Sequence, residues 1–317
     1  MLARLVLVVL GLLVAPPAAV ADEVLTTVPG AERMSAYGGW LVISVRTGET
    51  RTLHAWHDGV LAPLNVRPSP EAFDHDVGPD AHGRPTVVYS RCLRHPRGCD
   101  LFALTLDEGV ERRLTVSQPR YSEFAPAIWG DMLVFGRRKA GQRRADIVLT
   151  QTGKPWRRLP AGTLPRPCKS VDTCDKGRPQ GYPVESDLGP QAVAYTWHLR
   201  AGNAILGWGA ELRFARLDGG PARIAHIGYA DGTCGQNPFA PSVSGLGVRH
   251  GLDGCGGTSL WRFELDGLRR FTAPTTASRL AWDGDTVYNV TFDGVLSRSD
   301  GAAWSQTRSG EGRPPLD

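Results

Sequence analysis

The chain has 317 residues, 41% of them hydrophobic, with 36 Lys and Arg against 32 Asp and Glu. That apolar content is ample for a core and excludes disorder as the main state, while 38 Gly and 24 Pro exclude a helix-rich protein. A formal net charge of +4 is too small to point to nucleic acid.

Met1 to Ala21 reads as a secretory signal: Arg4 precedes the apolar run Leu5 to Val14, and the small-residue box Ala19-Val20-Ala21 sets a cut before Asp22. Ten apolar residues are too few to span a bilayer, which takes about 20. The expected product is a secreted or extracytoplasmic protein, in the periplasm or outside the cell, with no transmembrane segment in the mature chain. Six cysteines fit an oxidising compartment. Spacing favours Cys92–Cys99 and Cys168–Cys174, which leaves Cys234–Cys255, although six cysteines allow fifteen pairings. None forms a C-x-x-C, so zinc is not indicated.

From residue 30 onward a unit of short strands recurs. Its clearest copy opens on Phe73-Asp74-His75-Asp76-Val77-Gly78-Pro79 and continues through Val87-Val88-Tyr89 and Asp100-Leu101-Phe102. It closes on the turn Asp107-Glu108-Gly109 and Leu114-Thr115. Taking the third strand as anchor picks out Leu53, Leu101, Ile147, Leu212, Leu260 and Leu296, at spacings of 48, 46, 65, 48 and 36. The long interval holds a Pro, Gly and Cys-rich insertion, roughly Pro160 to Gly181. Six units of four short strands predict an all-β fold, a six-bladed β-propeller in one domain over residues 22–317, because each blade exposes apolar faces that only its neighbours can cover. The blades fall roughly at 30–66, 70–117, 122–160, 182–228, 236–274 and 277–308. A β-sandwich is the alternative. The last unit is read with four strands of its own, ending near Trp304, and Val24 to Val28 is an extra strand that could clasp it.

The residues of blade two carry a resemblance. Gly78-Pro79-Asp80-Ala81-His82-Gly83, Val87-Val88-Tyr89, Asp100-Leu101-Phe102, Asp107-Glu108-Gly109 and Leu114-Thr115 resemble the repeat of TolB-like propellers, which are related to WD-repeat propellers. The resemblance implies six blades used for protein contact. It does not imply the envelope role of TolB itself, because the short stretch from Asp22 to Glu32 leaves no room for a helical domain ahead of the propeller. Ser297-Arg298-Ser299-Asp300-Gly301-Ala302-Ala303-Trp304 also resembles a degenerate Asp-box turn, a structural feature of sialidase-like propellers.

Propeller topology maps all six cysteines to loops on one face, which makes that face the candidate ligand surface. Locked loops lower the ordering cost of binding. Trp197, His198 and Trp208 flank the long second-to-third-strand loop of blade four and form a candidate aromatic contact patch there. Asp74-His75-Asp76 aligns with Glu185-Ser186-Asp187, each an acid-x-acid on an innermost strand. Period 2 puts Asp74 with Asp76, and Glu185 with Asp187, on one side. Facing the central channel, the four carboxylates would suit Ca²⁺; otherwise they face water or bond neighbouring backbone amides. No other cofactor is indicated. Linear motifs for nucleophilic, zinc-hydrolase or phosphate-binding chemistry are missing. The reading is therefore a non-catalytic module for a protein or cell-envelope glycan. The alternative is a hydrolase or lyase with a site assembled from scattered residues at the channel mouth.

Overall fold

The computed structural model describes residues 23–94, 97–142, 145–161, 181–200, 208–230, 237–245, 247–254, 257–264, 267–271, 279–300 and 306–308. Every regular element among them is a strand, and Gly- or Asp-containing turns separate most of them. The chain begins with β1 (Glu23–Thr27). Blade one is β2 (Ala31–Tyr37), β3 (Trp40–Thr47), β4 (Thr50–His57) and β5 (Val60–Pro63). Blade two is β6 (His75–Pro79), β7 (Pro85–Arg94), β8 (Arg97–Thr105) and β9 (Val110–Arg113). Blade three is β10 (Tyr121–Trp129), β11 (Met132–Lys139), β12 (Asp146–Gln151) and β13 (Lys154–Leu159). Blade four is β14 (Tyr182–Leu188), β15 (Ala192–Arg200), β16 (Trp208–Arg216) and β17 (Arg223–Ala230). Blade five is β18 (Asn237–Ser244), β19 (Gly247–Gly254), β20 (Gly257–Glu264) and β21 (Gly267–Phe271). Blade six has β22 (Arg279–Asp283), β23 (Thr286–Val290) and β24 (Val295–Asp300), and the last described strand is β25 (Gln306–Arg308).

Six antiparallel sheets result, and their first strands β2, β6, β10, β14, β18 and β22 touch in that order and back to β2. The ring is closed, a six-bladed propeller as the repeat predicts. All six anchor residues, from Leu53 to Leu296, lie in third strands and are buried. The core is layered between blades rather than central. Leu53 and Ala55 of blade one meet Phe73, Tyr89 and Leu104 of blade two. Ile147 and Leu149 of blade three meet Leu188, Tyr195 and Trp197 of blade four.

Blade six departs from expectation. Its fourth strand is β1, paired antiparallel with β24 from Glu23↔Arg298 to Thr27↔Val295. The last described strand, β25, instead lies on the outer edge of blade five, pairing Arg269↔Arg308 to Phe271↔Gln306 with β21. The reason is geometric: after β24 the outer edge of blade six already belongs to β1. Trp304 falls outside the described residues, as do residues 1–22 and most of the insertion.

The inner strands run in one direction, as the parallel bridge Asp80↔Gly130 records for blades two and three. Second-to-third-strand hairpins and blade-to-blade connections therefore share one face. The inner strands begin at that face, so the residues that open β2, β6, β14 and β22 form the rim of the channel there.

Candidate functional site

The channel encloses a cavity of about 430 Å³ lined by all six inner strands. Asp74, Asp76, Glu185 and Asp187 all line it, together with Arg33 of β2, His198 of β15 and Arg279 of β22. Each acid also accepts a backbone amide of the following blade. Asp74 Oδ2 accepts the Ala125 N–H at 3.4 Å, and Asp76 Oδ2 accepts the Ile128 N–H at 3.1 Å, both in blade three. Two blades on, Glu185 Oε2 accepts the Ala240 N–H at 2.7 Å and Asp187 Oδ2 accepts the Val243 N–H, both at blade five.

The two copies solve one local problem. Ala125 and Ala240 sit in the Phe-Ala-Pro segments of β10 and β18, where each strand bulges against its partner between Phe124 and Ala127 and between Phe239 and Ser242. Both alanines have positive φ, 48° and 46°, a left-handed conformation that costs an L-residue roughly 1–2 kcal/mol. A bulge takes amides out of the ladder, and the acids of the preceding blade receive them. The glycine that follows each acid pair lets the strands approach: a Cβ on Gly78 would lie 2.1 Å from the Ile128 carbonyl oxygen, and one on Gly189 2.8 Å from Val243 Cγ1. Ser186, between the acids of blade four, donates back to the Ala125 carbonyl at 2.6 Å.

Arg33 crosses the mouth. Its Nη1 lies 2.6 Å from Asp74 Oδ1, donates to the Val184 carbonyl at 2.9 Å and stands 4.0 Å from Glu185 Oε1. Burial works against its charge, but Asp74 and then Glu185 more than offset that and raise its pKa. Deeper in, Asp76 and Asp187 approach each other from blades two and four. Burial, then the charge of Asp187, raises Asp76 well above the usual carboxylate range, and burial raises Asp187 to about 6. All four acids line the channel, and each accepts a backbone amide of the following blade. Among the described residues no group of three or more His, Cys, Asp or Glu is placed to hold a metal ion.

The aromatic patch separates into its members. Trp197 is 0% exposed, packed in the core between blades three and four, so it fills space rather than offering a surface. His198 lines the channel, its pKa pushed to about 4 by burial and then by Arg33. Trp208 lies in β16 opposite Arg200, and its side chain falls outside the described residues. Cys92 and Cys99 form the expected disulfide between β7 and β8, buried against Phe124 and Ala125 of blade three. Cys168, Cys174, Cys234 and Cys255 fall outside the described residues.

Two features of the site escaped the sequence reading. Arg33 lies in the weakest copy of the repeat, with no motif to mark it. The coupling of acid pair to bulge did leave a trace: Asp74 precedes Phe124 by 50 residues and Glu185 precedes Phe239 by 54, so the two motifs recur in the same order.

No protein-family pattern matches the chain, and no curated protein does. The chain is similar to the protein described as TolB from Agrobacterium tumefaciens at 15% identity and a TM-score of 0.40, covering 61% of this chain and 62% of that one, so it spans less than two thirds of that protein. It is similar to a chain of a nidogen/laminin complex at 11% identity, with 87% and 91% covered and a TM-score of 0.50. An oligogalacturonate lyase in complex with manganese is similar at 11% identity, with 92% and 81% covered and a TM-score of 0.50. At these identities the likeness is one of fold.

Proposed function

We propose that this protein is an exported, non-catalytic binding module that takes a protein partner, or a cell-envelope glycan, at the channel mouth and the loop face around it. One observation carries the reading: the ionisable groups of the mouth already have structural partners. Asp74 holds Arg33 and the bulge of blade three, while Glu185 holds the bulge of blade five. Groups held this way make a rigid, pre-organised rim, which lowers the ordering cost of association. The Cys92–Cys99 bridge on the same face supports both that rigidity and an oxidising location.

A second reading, a hydrolase or lyase, has one observation in its favour. Asp187 has its pKa raised to about 6 beside Asp76, and a displaced pKa in a cleft is a recurring mark of general acids.

Affinity capture tests the proposal. The chain from Asp22 onward, oxidised and immobilised, is exposed to envelope extract of its source, beside a reduced, denatured copy and the rim variant Arg279→Glu. A stoichiometric protein or glycan retained by the folded chain and lost with Arg279→Glu is the expected result. Retention that does not depend on folding, or turnover of a substrate abolished by Asp187→Asn, would overturn it.

A further inference from the structure

The rim of blades two and three carries charge that the channel does not use. On the second-to-third-strand hairpins of these blades, residues 91–94 with 97–99 and residues 136–142 contain six basic residues and no acid. The acids nearby already have arginines: Glu111 pairs with Arg91, Asp100 with Arg113 at 2.8 Å, Glu123 with Arg137 at 3.2 Å and Asp146 with Arg158 at 3.3 Å. Arg97, Arg120 and Lys139 are exposed and have no ion-pair partner among the described residues. They lie close in the fold. The Ala140 N–H at the end of β11 donates to the Arg120 carbonyl at 3.1 Å, Lys139 pairs with Tyr121 in the ladder, and Arg138 beside it pairs with Ser122. Burial and then the charge of Arg97 lower the pKa of Arg138, so two guanidinium groups are held near each other at an electrostatic cost.

Among these cations stands an apolar tip. Leu93 is 83% exposed at the end of β7, next to Cys92, and the disulfide to Cys99 closes the hairpin beneath it. The same face carries a second such tip, Phe292, 91% exposed in the turn between β23 and β24. A hydrated polyanion has no use for an exposed leucine. An anionic bilayer surface uses both components, cations for headgroup phosphates and an apolar side chain for the interfacial region.

We propose that the rim of blades two and three docks the protein peripherally on an anionic lipid surface, with Leu93 entering the interface and Arg97, Arg120, Arg138 and Lys139 facing the phosphates. The rim lies beside the channel mouth and does not depend on what the mouth binds. A lipid surface would hold the mouth close to the membrane plane.

The test is vesicle co-sedimentation of the oxidised chain from Asp22 onward, which carries all six blades and omits the apolar leader. Vesicles of phosphatidylcholine alone are compared with vesicles holding about one third phosphatidylglycerol, at low ionic strength and at about 0.5 M salt, where the Debye length shrinks to a few ångströms. Binding is expected only with the anionic lipid and to fall with salt. Arg97→Glu and Lys139→Glu should each weaken it by about fivefold or more. Leu93→Ser should weaken it without altering retention on dextran sulfate. Each variant is exposed, and an unchanged melting curve checks its fold. Absence of binding to the anionic vesicles overturns the proposal. So does a Leu93→Ser variant that binds vesicles like the parent, since the patch would then serve a soluble polyanion.

Discussion

Asp187 and the His226–His250 pair titrate in opposite senses. Burial raises the Asp187 carboxyl from 3.8 to about 6, so the folded chain holds this proton more tightly than the unfolded one. Its contribution to stability is complete below about pH 4 and is lost as pH rises through about 6. His226 Nδ1 and His250 Nε2 lie 2.7 Å apart between blades four and five, and burial pushes His226 down to about 4 and His250 well below its ordinary value. Their contribution is complete above about pH 6.5 and is lost as pH falls towards 4. Asp187→Asn removes the first effect, relieves Asp76 of a neighbouring charge, and leaves the histidine pair in place. Measured against the parent, its melting temperature should be more favourable at pH 7.5 than at pH 4.5, while the acid-side loss persists. An equal difference at both pH values would mean that Asp187 is ionised throughout.

At the scale of the element, the instructive strand is β1. Blade six has three strands from the end of the chain, and their outer edge would leave the backbone groups of β24 open. β1 pairs with that edge, and the residue that follows it, Val28, donates to the Gly294 carbonyl at 2.7 Å. Val28 is buried with Met34, Leu41, Tyr288 and Leu296, between blades six and one. A chain that begins at Pro29 should therefore lose both the ladder and this packing. The expected loss is on the order of 4 kcal/mol, which for a chain of this size lowers the melting temperature by about 10 °C or more. Differential scanning calorimetry checks it; an unchanged transition would mean that blade six is complete without β1. The charged end of the strand matters less, since the Glu23–Arg298 pair is exposed at both partners and such pairs contribute about 0–1 kcal/mol.

The whole molecule is held by contacts that cross blades. Acid pairs join blade two to blade three and blade four to blade five, Ser186 joins four back to three, and Arg33 ties blade one to both two and four. β1 and β25 bring the two ends of the described chain to neighbouring blades, six and five. With apolar layers shared between neighbours, no blade has a core of its own. The ring should therefore unfold as one unit, with tryptophan fluorescence and far-UV circular dichroism tracing coincident transitions in denaturant. Two separable transitions would instead mark the acid-linked blade pairs as independent units.

The repeat was legible because it depends on local chemistry. Third-strand anchors such as Leu101 and Leu260 are apolar in every copy, and a turn follows each of them at nearly fixed distance, so period and fold can be read residue by residue. The acid pairs were legible for the same reason: Asp74-His75-Asp76 and Glu185-Ser186-Asp187 align, and alternation along a strand puts both acids of a pair on one side. What those acids hold was decided by tertiary structure. The bulges at Ala125 and Ala240 place unpaired amides beside them, at sequence separations of 51 and 55 that no local pattern constrains. Trp197 and His198 are adjacent in sequence, yet one is sealed in a blade interface and the other lines the channel, because neighbouring residues of a strand face opposite sides. The segment Val24 to Val28 was legible as a strand able to clasp the last blade, but its standing as the fourth strand of blade six, with β25 on blade five instead, was decided by tertiary structure: an edge strand is defined by an open row of hydrogen-bonding groups, and β1 and β25 meet theirs only after the blades have assembled.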